Sequence, residues 1–178
     1  EGALARQHLV EHAAERPDVR TLVDGLPVRL LWAHIGGRAE DHSIARAVEG
    51  GCRHILAIGG DGTVNECANG IFRQQAAPTA DVTLGVMPIG TGNDWARTHR
   101  IPKDYAEVAA LMASGASRLQ DVGIATFGDG SVRHFVNVAG LGFDAHVVEA
   151  LPDRTLGPMA YLAGLAKGLL NYRAVSLG

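Results

Sequence analysis

Two stretches of this chain bring together residue types that handle phosphate. Residues 55–66 read Ile-Leu-Ala-Ile-Gly-Gly-Asp-Gly-Thr-Val-Asn-Glu, and residues 86–96 read Val-Met-Pro-Ile-Gly-Thr-Gly-Asn-Asp-Trp-Ala. Each runs from an apolar strand through a glycine turn toward a helix start, with an acidic residue in or just past the turn. Gly59, Gly60 and Gly62 permit close approaches that a Cβ would block, and Thr63 opens the following helix. Such a turn offers backbone N–H groups and the positive end of a helix dipole to phosphate. Asp61 is the odd member. A carboxylate beside phosphate is repelled unless it meets Mg²⁺, accepts a proton or is held by a cation.

In the second loop, after Gly90, Thr91 can offer a hydroxyl, Asn93 can bridge ribose or phosphate, and Asp94 can join a metal–water network. The plainer chemistry of the same residues stays open. Thr63-x-x-Glu66 is a capping box, and Asn93 is a good N-cap with Asp94 in the first turn. Neither loop is a Walker P-loop, because no Gly-Lys-Ser/Thr follows. Neither completes GxGxxG, since Asn65 and Trp95 stand where the third glycine would be. In a parallel sheet, strand–loop–helix units open on one edge, so neighbouring loops can share a ligand. The pair points to the nucleotide-binding part of a phosphotransferase.

The elements that must position these loops alternate. Leu4, Leu9, Val10 and Ala13 predict a helix over 3–15, and residues 28–33 a strand. A helix over 43–50 stops at Gly50-Gly51, and the apolar run 55–58 suits a strand buried on both faces. A helix over 63–72, a strand over 82–87, a short helical piece over 93–97 and a helix over 105–114 follow. This rhythm predicts an α/β fold with a doubly wound, mostly parallel, three-layer nucleotide-binding domain over residues 1–118. Runs 120–126 and 132–138 flank Gly128-Asp129-Gly130, a hairpin signal. They predict the start of an antiparallel β-sandwich domain over 119–178, with a helix over 157–172.

Composition narrows the function. The chain has 178 residues, 47% hydrophobic and 20% charged, which suits one domain or one plus part of another. A net charge of −3 carries no footprint for nucleic acid. Cys52 and Cys67 have no metal-ligand spacing and read as reduced thiols of a cytoplasmic protein. No apolar stretch reaches the ~18 residues of a membrane span. A start at Glu1 inside a helical pattern carries the expectation that part of a parent chain precedes it. His8 and His12 share a helix face without a third ligand and read as solvated, and His134 reads as a structural partner.

Gly59 to Glu66 followed by Pro88-Ile-Gly-Thr-Gly-Asn-Asp-Trp-Ala-Arg97 resembles the diacylglycerol kinase catalytic domain family, which includes bacterial lipid kinases and sphingosine kinases. The likeness continues through Asp121-Val-Gly, Phe135 to Ala145 and Gly157-Pro-Met-Ala-Tyr161. It implies ATP in a cleft between an α/β domain and a β-sandwich domain. It also implies nucleotide contacts from Gly59, Gly60, Asp61, Gly62, Thr63, Val64, Asn65, Glu66, Gly90, Thr91, Gly92 and Asn93. Asp61, Asp94 and Asp121 resemble the family's aspartate–water–Mg²⁺ network, and Asp61 the acid that takes the substrate's proton.

Three departures from the family pattern stand out. Its first strand and Asn-Pro-x-Ser-Gly-type turn have no counterpart, His34 stands where relatives carry threonine, and a late acidic residue lies beyond Gly178. The reading is an ATP- and Mg²⁺-dependent kinase of diacylglycerol or a related lipid, cytoplasmic, meeting a membrane surface transiently, with a homodimer among the assemblies it allows. The alternatives are an NAD kinase-like phosphotransferase, which shares the first loop, and a truncated, non-catalytic nucleotide-binding module.

Overall fold

The computed structural model describes residues 30–34 and 40–140. The chain divides into a compact unit ending at Asn137 and a second from Val138 onward, and every element below belongs to the first. In chain order they are β1 (Leu30–His34), α1 (Glu40–Glu49), β2 (His54–Gly59), α2 (Asp61–Arg73), β3 (Thr83–Pro88), α3 (Asp94–Thr98), α4 (Tyr105–Ala113), β4 (Gly123–Thr126) and β5 (Val132–Phe135). The helices expected over 3–15 and 157–172 lie outside the described residues.

Three parallel strands form the sheet in the order β1-β2-β3. Leu30 pairs with His54 and His34 with Ile58, while His54 pairs with Thr83 and Gly59 with Pro88. The apolar run of β2 is divided between two cores because successive side chains point to opposite faces. Ile55 and Ala57, with Val86 of β3, pack against Ile44 and Val48 of α1 and Val64, Cys67 and Ile71 of α2. Leu56 and Ile58, with Met87, pack against Val108 of α4. The parallel, three-layer expectation is therefore met among the described residues. Their strand order is sequential, and the reversal that defines double winding is not among them. Cys52 and Cys67 are both buried.

Element starts are set by local chemistry. At α4 the Asp104 carboxylate accepts from the N–H groups of Ala106 and Glu107 at 2.9 and 3.0 Å. α2 begins at Asp61 with Gly60 as its N-cap and no side-chain cap. That corrects the expected capping box: Thr63 is already the third helical residue, so it cannot stand at the N-cap.

The antiparallel expectation is met by one hairpin, shorter than expected, with Gly123 opposite Phe135 and Thr126 opposite Val132. Its turn needs a left-handed residue, supplied by Gly130 at φ 81°. Ser131 N–H donates to Asp129 at 2.8 Å, and hydrogen bonds from the Ser131 side chain and then from this N–H hold that carboxyl below its ordinary range. The hairpin lies against α2, and a β-sandwich is not seen among the described residues.

Candidate functional site

The two glycine loops meet. β2 and β3 end side by side, and the pairing runs on into the loops, where Ile89 N–H donates to Gly59 O at 3.2 Å. Beyond it the backbones touch: a Cβ on Gly90 would sit 2.5 Å from Gly60 Cα and 3.0 Å from Gly60 N. No larger residue fits there without parting the loops.

Asp61 fastens this junction. Its Oδ2 accepts from Asp94 N–H at 3.1 Å and its Oδ1 from Trp95 N–H at 2.8 Å. The first residue of α2 thereby caps the N-terminus of α3. Asn93, the expected cap, makes no side-chain cap bond and sits in the left-handed region at φ 53°. Its amide instead donates back to Gly90 O, and its Oδ1 is buried without a partner. Asp94 pairs with Arg97, whose guanidinium also donates to Gly92 O at 2.6 Å. Gly92 is tight as well, since a Cβ there would lie 2.9 Å from Asp61 Oδ2.

The other expected site residues fall into distinct places. Thr91 and Gly92 are exposed on the second loop, and Gly62 is exposed on the first turn of α2. Thr63 is buried with its hydroxyl against Gly59, where a Cβ would come within 2.0 Å of it. Val64 is a core residue whose N–H is committed to Gly60 O at 3.1 Å. Asn65 offers its carbonyl to the Asn69 amide at 2.8 Å. Glu66 pairs through Oε1 with Arg133 at 2.7 Å, and its Oε2 is buried without a partner. Asp121 is exposed ahead of β4. No group of three His, Cys, Asp or Glu side chains among the described residues is placed to hold a metal ion, so Asp61, Asp94 and Asp121 are not gathered into one ligand set.

The arrangement suits a polyanion with donor groups behind it. Gly60 contributes no capping side chain, so the first N–H groups of the 13-residue α2 remain for a ligand. The unpartnered Oδ1 of Asn93 and Oε2 of Glu66 are acceptors seeking donors, since buried polar atoms are ordinarily paired. Together these fit a nucleoside phosphate.

Sequence reading passed over Asn69, Arg133 and Gln120. Asn69 is an amide 6% exposed on the buried face of α2, which apart from Thr63 carries no other polar side chain, and that mismatch was its available signal. Gln120 accepts from the Trp95 indole at 3.1 Å. Next to it, an apolar cavity of about 630 Å³ is lined by Phe72, Leu84, Trp95, His99, Leu111 and Arg118 among others, with no residue of either glycine turn. Burial, then the charge of Arg118, lowers the pKa of His99, against a hydrogen bond with Gln120 that raises it.

Residues 18–125 match the family model described as the diacylglycerol kinase catalytic domain. A protein of Chromohalobacter salexigens named "Probable lipid kinase YegS-like" is 35% identical over 173 residues, covering 90% of this chain and 52% of that protein. The diacylglycerol kinase of Bacillus subtilis is 35% identical over 116 residues, covering 65% of this chain and 35% of its own length. Among solved structures, a diacylglycerol kinase of Bacillus anthracis matches at 28% identity and a TM-score of 0.50, over 73% of this chain and 40% of that one. This chain thus spans about half the length, or less, of the curated relatives it matches.

Proposed function

We propose, from the premise that this chain belongs to the diacylglycerol kinase catalytic domain family, that it is the nucleotide-binding part of an ATP-dependent lipid kinase. The observation that carries the reading is the junction of Gly60 with Gly90, locked by the Asp61 carboxylate on the N–H groups of Asp94 and Trp95. It puts two glycine turns and a helix N-terminus at one place, where a triphosphate needs them.

In this reading the N–H groups of the first turn of α2 and the Thr91 hydroxyl hold the phosphates. The acceptor is diacylglycerol or a similar lipid alcohol. Its oxygen bonds to the γ-phosphorus, the bond from that phosphorus to the β,γ-bridging oxygen breaks, and ADP leaves. Asp61 takes the hydroxyl proton on one of the lone pairs its two N–H bonds leave over. Mg²⁺ keeps several waters and binds largely through substrate phosphates, so it would arrive with ATP and be met through water by Asp61, Asp94 and Asp121. Bound there, it would offset the charge of the phosphates.

Residues 1–118 are assigned to the nucleotide-binding domain. Residues 119–178 are assigned as the start of the β-sandwich domain, with the hairpin its part against α2. A lipid acceptor implies transient contact with a membrane surface from the cytoplasm, and no helix among the described residues is long and apolar enough to cross one.

Mg-ATP should raise the melting temperature of the chain, and at 100 times Kd the gain is about 2.7 kcal/mol. No rise would sink the proposal. Diacylglycerol and NAD offered in parallel with labelled ATP should give a labelled lipid; labelled NAD would favour the NAD kinase-like reading. Binding without transfer to either would favour the non-catalytic module.

A further inference from the structure

Asn69 makes three hydrogen bonds, two of them to one residue of the hairpin. Its Nδ2 donates to His134 O at 2.8 Å and to Asn65 O at 2.8 Å, and its Oδ1 accepts from His134 N–H at 2.9 Å. A carboxamide presents the same donor–acceptor pair as a peptide group. Asn69 therefore serves His134 as a neighbouring strand would, on the edge of β5 that faces away from β4. The contact is reinforced by Phe72, whose ring stacks on His134 with centroids 4.3 Å apart.

The consequence falls on Glu66. Fastening His134 to α2 brings Arg133 to Glu66 Oε1 and leaves Oε2 buried with no donor. A phosphate would repel that oxygen, whereas an N–H or O–H group would satisfy it. Glu66 lies five residues beyond Asp61, about 7.5 Å along the helix at 1.5 Å per residue. That is the separation expected between a triphosphate at the helix start and the nucleoside attached to it.

Resting on the nucleotide reading above, we propose that Asn69 is a positioning residue: it clamps the hairpin so that Arg133 orients Glu66 to accept a hydrogen bond from the nucleoside of the bound nucleotide. The clamp thus selects for the nucleoside and not for its phosphates.

Affinities of the whole chain for ATP and for inorganic tripolyphosphate test this. Asn69→Asp keeps the shape and removes the donor facing His134 O. It should weaken ATP about tenfold, the scale of one hydrogen bond to a charged group, and leave tripolyphosphate unchanged. Arg133→Gln should do the same with the clamp intact, and Arg133→Lys should recover part of the loss. 2′-Deoxy-, 3′-deoxy- and N6,N6-dimethyl-ATP on the parent identify which donor Glu66 receives.

Equal losses for ATP and tripolyphosphate, or no loss for ATP in either variant, would overturn the proposal. Should Asn69→Asp not fold, the Arg133 pair decides alone. A parent chain that binds neither ligand would instead overturn the nucleotide reading itself.

Discussion

Asp61 shows what a single residue's chemistry reveals in sequence and what it hides. An acidic group inside a glycine turn is visible as an anomaly that needs a partner. The partner found is backbone, the N–H groups of Asp94 and Trp95, which lie 33 and 34 positions away. No local pattern announces such a pairing, so Asn93 and Thr63 looked like the caps. Asp61→Ala should cost about 1 kcal/mol, the usual worth of an N-cap acceptor, and abolish the shift given by Mg-ATP. Asp61→Asn, with one acceptor left, should keep more of the stability than of the shift. Urea unfolding with and without ATP separates the two losses. Glycines divide in a similar way. Gly90→Ala meets backbone at 2.5 Å and should unfold the loop junction, whereas Gly62 faces open space. Gly62→Ala should therefore raise stability by about 0.5–1 kcal/mol, since glycine is a poor helix residue. A destabilised Gly62→Ala protein would mean the first turn of α2 differs from the one described.

At the scale of elements, the apolar run was enough for β2, and the alternation of strand-like and helix-like stretches for β3, α1, α2 and α4, because each buries apolar residues. Ends were less legible. α2 starts two residues before the expected Thr63, since Gly60 takes the cap, and the hairpin strands are shorter at their outer ends than alternation suggested. The docking of β5 on α2 was not legible, because it depends on one amide and a ring stack between residues more than 60 positions apart. That docking has a pH signature. Burial, and then the charge of Arg133, lowers the pKa of His134 from 6.5. The folded state thus resists a proton that the unfolded chain accepts. Stability is complete above pH 6.5 and falls as pH drops from there toward the lowered folded value. His99 adds to the same trend. The urea midpoint of the chain should decline on acidification through this window, and His134→Phe, which keeps a ring against Phe72, should flatten the decline. An unchanged slope would show that His134 is not a source of it.

At the largest scale, the described residues of the unit ending at Asn137 are organised by a sheet that keeps two cores apart. The uninterrupted apolar run Ile55–Ile58 was read as buried on both sides, and its residues do alternate between the α1–α2 layer and the α4 layer. What the run could not tell is the strand order, or which helix takes which face, since those follow from crossovers and not from any one segment. Separation makes a quantitative prediction. Ile44 packs in one core and Ile58 in the other, both nearly or fully buried. Ile44→Val and Ile58→Val each remove one methylene and should each cost about 0.5–1.5 kcal/mol. With no shared partner, the double variant should lose the sum to within about 0.5 kcal/mol. The fold should survive this, because small domains hold about 5–15 kcal/mol in total. Far-UV circular dichroism and tryptophan fluorescence should follow one common transition in all four proteins if the layers unfold together. Additive costs with coincident transitions describe two insulated cores joined by one cooperative sheet. A double variant that loses much more than the sum would show that strain passes through β2. In that case, packing changes behind α4 would also be felt at the glycine loops where β2 and β3 end.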